Sequence, residues 1–334
     1  MNPKYFSNRN RKKKIKVLVT LGPGSLNKNF LEFCKSSNVS LLRLNMSHIK
    51  IKNLEKHIKF IRKYNKTTPI CIDTEGAQIR TKARKKVFLK KNKIFYFSDR
   101  NNPFSLYPLN VLKKLKKQDV LSIGFENLKA KVTKTYKNKI QLKVIQEGFI
   151  EGNKGVHVEN RSLELKFLTN KDYEAIKIGK KNKIKNYALS FTSSAKDINQ
   201  FKNILSTENK IYKIETKKAF KKLKQIIKAG EKFLIDRGDL SKDINIEKIP
   251  SFQRKIVSEV KKYKSKEVYI ATNLLESMVK NLYPTRAEAN DIFNCLEMGA
   301  KGLVLAAETA VGLYPKNSVL FLKKMINEYL KFKN

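Results

Sequence analysis

The stretch KFLIDRGDLSKD, Lys232 to Asp243, runs from an apolar segment, Phe233-Leu234-Ile235, straight into Asp236, Arg237, Gly238 and Asp239. A short, continuously apolar run bounded by polar turn residues reads as a strand buried on both faces. The same design recurs at residues 15–22, 40–47, 69–75, 187–192, 210–215, 267–273 and 302–308, which with 232–238 makes eight. Between most of them lie lysine-rich segments with apolar residues at helical spacing. In TKKAFKKLKQIIKAG, for example, Ala219, Phe220, Leu223, Ile226 and Ile227 form one stripe. Eight buried strands separated by helices predict an α/β fold, a closed (β/α)8 or TIM barrel. A doubly wound open sheet is the alternative, but TLGPGS in the first turn is a poor phosphate loop, because Pro23 removes an amide.

The rhythm breaks once. From about Lys82 to Gly155 the pattern alternates, as in NLKAKVTKTY and KIQLKVIQEGFI, with a hairpin signal at Lys137-Asn138-Lys139. This predicts a small all-β lid inserted after barrel strand 3, over the face where barrel enzymes keep their active sites. The expected division is 1–81 and 156–334 for the barrel and 82–155 for the lid.

Composition excludes several classes. No apolar run approaches the ~20 residues of a membrane span. Cys34, Cys71 and Cys295 are odd in number and far apart, which fits neither a disulfide framework nor a zinc site and suits a reducing, cytoplasmic setting. The basic start, MNPKYFSNRNRKKK, has no apolar segment behind it, so it is no secretory signal; it reads as a solvated tail, with a short organelle-targeting segment as the alternative. The formal charge of +44 invites a nucleic-acid reading, yet only 11 of the 73 basic residues are arginine, the residue that reads phosphates and base edges best. Specific nucleic-acid binding is therefore not expected, and loose association with RNA at low salt is.

Polar residues cluster at the C-terminal ends of the strands. By the two-residue strand period, Arg43, Asn45 and Ser47 share a face, with His48 just beyond. Asp73 and Thr74 end the third strand and Arg80 follows. Lys213 and Glu215 share a face, Asp236 and Asp239 follow the sixth strand, and Thr272 ends the seventh. Cations beside carboxylates and a hydroxyl suit metal-assisted phosphoryl or enolate chemistry.

At this point the chain resembles the pyruvate kinase family. The segments LVTLGPGS, LRLNMSH, DTEGAQIRT, LSFTSSAKDI, YKIET, DRGDL, ATNLLESM, YPTRAEAND and AAETAVGLYP fall in that family's order. The resemblance implies phosphoryl transfer from phosphoenolpyruvate to ADP. Glu215 and Asp239 would hold Mg²⁺ or Mn²⁺, Lys213 would stabilise the phosphoryl group in flight, and the Gly238 and Asp239 amides would receive the substrate carboxylate. Thr272 would assist protonation of the enolate. Arg43 and Arg80 would bind phosphates, with Pro23, Asn45, His48 and the lid's Lys154 near the nucleotide. Asn45, Ser47, Asp73 and Thr74 correspond to a K⁺ site. Gln78 occupies the position whose charge tracks potassium dependence, which leaves that dependence open.

Departures accompany the resemblance. Ala306 replaces a serine of the proton relay, Asp236 stands where a small residue is usual, and Glu75 replaces lysine or glutamine. The lid lacks the family's Asp-Asp-Gly, and the sequence stops where the family continues into a C-terminal regulatory domain. An enzyme without sugar-phosphate regulation, paired into a homodimer through its barrel, is the leading expectation. A catalytically impaired derivative serving as a basic RNA-associated or scaffold protein is the alternative. A lyase or carboxyl-transfer barrel acting on phosphoenolpyruvate fits less well, since it needs neither the lid nor the Arg43 and Arg80 phosphate set.

Overall fold

A computed structural model describes residues 15–99, 102–124, 128–159, 161 and 163–333. The basic start (1–14) and residues 125–127 of the lid segment read above lie outside the described residues. Eight parallel strands close into a barrel. They are β1 (Lys16–Thr20), β2 (Leu41–Asn45), β3 (Ile70–Asp73), β4 (Asn186–Leu189), β5 (Asn209–Ile214), β6 (Lys232–Asp236), β7 (Glu267–Ala271) and β8 (Gly302–Leu305). All eight anticipated strands form, and closure pairs β1 with β8 as well as with β2.

Strand alternation sorts the apolar side chains into two layers. Leu18, Leu41, Cys71, Ala188, Ile211, Leu234, Tyr269, Ala271 and Val304 fill the barrel. Their neighbours, such as Val19, Leu42, Ile72, Ile214 and Ile235, pack outward against the helices. The helix Lys217–Lys221 and the next, Leu223–Ala229, present the predicted stripe, with Ala219, Leu223, Ile226 and Ile227 buried. No helix among the described residues is long and apolar enough to cross a membrane.

Most strands stop two or three residues before the sequence pattern suggests, at 20, 45, 73, 189, 236, 271 and 305. The polar residues at these ends leave the ladder and turn over the barrel mouth, because their side chains find partners there rather than across the sheet.

The lid is a seven-stranded antiparallel sheet with a separate two-stranded ribbon and its own apolar core around Phe97, Leu106, Leu121, Val132 and Leu142. Its predicted hairpin is formed by Leu128–Thr135 and Lys139–Gln146. The boundaries move outward from those expected. Ile79–Ala83 and Gly155–Val158 pair with each other and belong to the lid sheet, so the sheet spans 79–158 rather than 82–155. The reason is that both chain crossings are themselves a strand pair, whose alternation begins while the polar turn of β3 is still in progress.

One buried acid fixes the crossing. Asp172, fully buried at the start of the helix Asn170–Lys181, accepts from Glu75 N (2.7 Å), Gly76 N (3.1 Å), Thr169 N (2.9 Å) and Thr169 Oγ1 (2.9 Å). It thereby ties the exit of β3 to the return from the lid. Asp172→Ala orphans two buried amides and is expected to cost about 3 kcal/mol. Urea denaturation checks this against the exposed Glu174→Ala, expected to stay within about 0.5 kcal/mol.

Candidate functional site

Lys213 stands at the centre of the barrel mouth. It is 2% exposed, and its Nζ lies 2.7 Å from Glu215 Oε1, 3.3 Å from Asp73 Oδ2, 3.5 Å from Asp236 Oδ2 and 3.2 Å from Ser190 Oγ. Those partners come from β3, β5, β6 and the end of β4, so barrel closure alone assembles them. Arg43, from β2, shares the same Asp73 oxygen, with Nε 2.6 Å and Nη2 2.5 Å from Oδ2; it also meets Thr20 Oγ1 at 3.1 Å and approaches Asp236 at 3.9 Å. Arg43 and Lys213 are the only buried basic residues among the described residues.

Burial works to strip the proton from Lys213, but Asp73, Glu215 and Asp236 outweigh it and hold the ammonium above its ordinary value. Glu215 goes the other way. Burial, then the nearby Asp239 and Asp236, push its carboxyl up to about 8 against the pull of Lys213. Asp239 is held below the usual carboxylate range because Lys242, Lys213 and Arg80 together exceed the effect of its burial. The contact with Lys242 Nζ is 2.5 Å.

Glu215, Asp236 and Asp239 bring one oxygen each to within 4.8 Å of one another. Ligands on opposite sides of Mg²⁺, at 2.0–2.1 Å each, are about 4.2 Å apart. Hard oxygen donors at that separation, with charge that raises a carboxyl's pKa, fit a divalent cation. Glu215 is further aimed by Phe191 N, which donates to Oε2 at 2.6 Å from a backbone held at φ 52°.

The turn after β6 is a four-residue helix, Arg237–Leu240. Gly238 N donates to Thr272 Oγ1 (2.8 Å), and Asp239 N donates to Asp236 Oδ1 (3.4 Å), so in this structure both amides have acceptors of their own. Thr272 is left-handed at φ 68°, a strained conformation for a β-branched residue. Arg237 holds it there. Its Nε and Nη2 donate to the Thr272 carbonyl at 3.0 and 2.6 Å, while Nη1 is anchored on Asp291 at 2.6 Å.

Beside this centre a cleft of about 660 Å³ opens between barrel and lid, and Glu75, Arg80, Lys82, Arg84, Asn153 and Lys171 are among its lining residues. Arg80 Nη2 donates to Ser47 Oγ (3.0 Å), and Nη1 donates to the Asn153 carbonyl (3.2 Å). Asn45 Oδ1 accepts from Ser47 N (3.0 Å). The other oxygens of the expected K⁺ set are engaged too. Asp73 serves Arg43, Lys213 and Ser190, and the Thr74 carbonyl accepts from Ser190 Oγ at 2.7 Å. Desolvation and the charges of Arg80 and Arg43 hold the His48 imidazole below its ordinary value. Pro23 is exposed and does not line the cleft; its loop packs on the last strand's exit, where Gly24 N donates to the Ala310 carbonyl (2.8 Å). Lys154 pairs with Glu151 at 3.0 Å on the lid and does not line the cleft either.

The barrel thus brings together Arg43, Asp73, Lys213, Glu215, Asp239, Gly238 and Thr272 as the strand ends suggested. Sequence reasoning missed four contributors. Ser190 was legible, since it lies two residues beyond Ala188 on the inward face of β4. Lys171, Asp172 and Lys242 sit on helices or turns after the strands, where no periodicity marks them.

The comparisons with known proteins agree with the barrel fold. Residues 12–319 match the family model described as pyruvate kinase, barrel domain. The chain is 34% identical over 328 residues to a pyruvate kinase of Thermotoga maritima, covering 94% of this chain and 70% of that one. It is 30% identical to plastidial pyruvate kinase 3 of Arabidopsis thaliana and 28% to a pyruvate kinase of Staphylococcus epidermidis, spanning 57% and 56% of their lengths.

Lys213→Met leaves Asp73, Glu215 and Asp236 buried without their shared cation, and should cost about 3–5 kcal/mol of unfolding free energy. A carboxyl raised above its unfolded pKa binds protons better folded than unfolded, so its stabilising share is present at low pH and lost as pH rises. Without Lys213 the Glu215 carboxyl is raised further, so the deficit of the variant should grow as pH rises from about 8 to about 10. Urea titrations across that range check it, and a deficit that does not vary would refute the assignment.

Proposed function

The chain belongs to the pyruvate kinase family, and from that premise we propose that it transfers the phosphoryl group of phosphoenolpyruvate to ADP, forming pyruvate and ATP. The observation that carries this reading is the buried Lys213 ammonium, fixed by three carboxylates at a cation-lined cleft. A cationic point preset where charge develops on the moving phosphoryl group stabilises it without reorganisation at the moment of transfer.

The roles then follow from position. Arg43 and Arg80 supply positive charge to the phosphates, and the cleft with Lys82 and Lys171 receives the nucleotide. Asn45 is linked to the cleft's Arg80 through Ser47, and His48 follows Ser47 in the chain. The Gly238 and Asp239 amides exchange their present acceptors for the substrate carboxylate. Bound at Glu215 and Asp239, Mg²⁺ or Mn²⁺ would supply charge neutralisation for the carboxylate and phosphate oxygens. Once the phosphorus–oxygen bond to the enolate breaks, a proton must reach the terminal carbon. The Thr272 hydroxyl, which accepts from Gly238 N while Arg237 grips the residue's carbonyl, is our candidate to deliver or relay it. Ala306 has no hydroxyl to extend that relay, so the protonation step is expected to depend more on water.

Because Asp73 and Thr74 already have internal partners, catalysis with little K⁺ dependence is our reading of that set. The test is direct: pyruvate formation from phosphoenolpyruvate, ADP and Mg²⁺, with and without K⁺. We expect turnover in both conditions, reduced at least about 10²-fold by Lys213→Met and abolished by Asp239→Ala. Absence of pyruvate with correctly folded protein would overturn the proposal. A strict K⁺ requirement would overturn only its last part.

A further inference from the structure

In the scheme above Asp236 serves only to help fix Lys213, and its surroundings are unusual for a buried acid. It ends β6 at 3% exposure. An ionised carboxylate offers about four acceptor positions, yet the contacts of Asp236 are long: 3.4 Å from Asp239 N, 3.5 Å from Lys213 Nζ and 3.9 Å from Arg43 Nη2. The neighbouring acids are better served. Asp73 has Arg43 at 2.5 and 2.6 Å, and Glu215 has Phe191 N at 2.6 Å and Lys213 at 2.7 Å. A carboxylate withdrawn from water with only long contacts is costly, so a closer cationic partner would stabilise it.

The position of its oxygens says which partner. Asp236 shares one cluster with Glu215 and Asp239, all three offering an oxygen within 4.8 Å of the others. That spacing lets one hard cation reach all three with little movement of strands already locked by barrel pairing.

The geometry points to Asp236 as a third protein ligand of the divalent cation, beside Glu215 and Asp239. This rests on the metal-binding part of the function proposed above. Its consequence is an order of events. Three carboxylates can hold the ion before any substrate oxygen arrives, whereas a two-carboxylate site leans on the substrate to complete its shell. Asp236 therefore tunes metal loading of the free protein.

The experiment is Mn²⁺ binding to the substrate-free protein, read by the electron paramagnetic resonance signal of the free ion at fixed pH. Asp236→Asn keeps an oxygen to cap Asp239 N and removes the charged ligand. It should raise the Mn²⁺ dissociation constant about tenfold or more, since ligand charge count sets affinity at such sites. Asp236→Ala carries the same expectation should the asparagine variant not fold. Glu215→Gln serves as the reference loss. If Glu215→Gln weakens binding while both Asp236 variants bind as the parent does, the third-ligand assignment is wrong and the metal site stands. If the parent binds no Mn²⁺, or Glu215→Gln binds it unchanged, the assignment and the metal-binding reading both fall.

Discussion

A single buried ammonium organises this molecule. Lys213 draws Asp73, Glu215 and Asp236 toward one point from β3, β5 and β6. Three carboxylates in so small a volume would repel one another by several kcal/mol at any reasonable interior dielectric. With Lys213 and Arg43 between them the charges balance locally, yet not completely, as the raised carboxyl of Glu215 shows. Surplus negative charge at such a point favours the approach of a cation. Reactivity and stability are thus coupled: the groups that would do chemistry are also those whose removal leaves uncompensated charge inside the barrel.

The chain's overall charge makes this economy visible. With 29 acids against 73 bases, carboxylates are scarce, yet Asp73, Glu75, Asp172, Glu215, Asp236 and Glu308 are all buried around the barrel mouth. Glu308 accepts from Leu275 N and Ala306 N and so links the exits of β7 and β8. Asp172 does the same for the lid crossing. Acids here are fixed by backbone amides and internal cations, while among the described lysines only Lys213 is buried and the rest keep contact with water at little cost to the fold.

The pattern of apolar runs ending in polar residues already implied much of this. Period-two alternation placed Lys213 with Glu215 and Arg43 with Asn45 on inward faces, and barrel closure turned those faces toward a common axis. The lid was legible for the same reason, its alternation differing from the continuous apolar runs of the barrel. Its edges were not, because Ile79–Ala83 and Gly155–Val158 are short strands beside polar turns, with too few residues to declare a period. Lys171 escaped notice because its contact with Glu75, at 3.9 Å, reaches across the chain, and Lys242 because it pairs with Asp239 at 2.5 Å within a short turn that has no strand or helix period.

The sequence by itself determined the elements and the chemical kind of the site. Burial preferences fix which face of a strand or helix turns inward, and family-specific segments such as ATNLLESM and YPTRAEAND fix which barrel this is. Only the tertiary structure decided the environment of each charge. Asp236 and Asp239 look equivalent along the chain, three residues apart in one turn. In space one has long contacts, the other a lysine at 2.5 Å, and both face Glu215 from the neighbouring strand. The reason is physical: an electrostatic environment is set by distances between strands, and local sequence carries no record of those until the barrel closes.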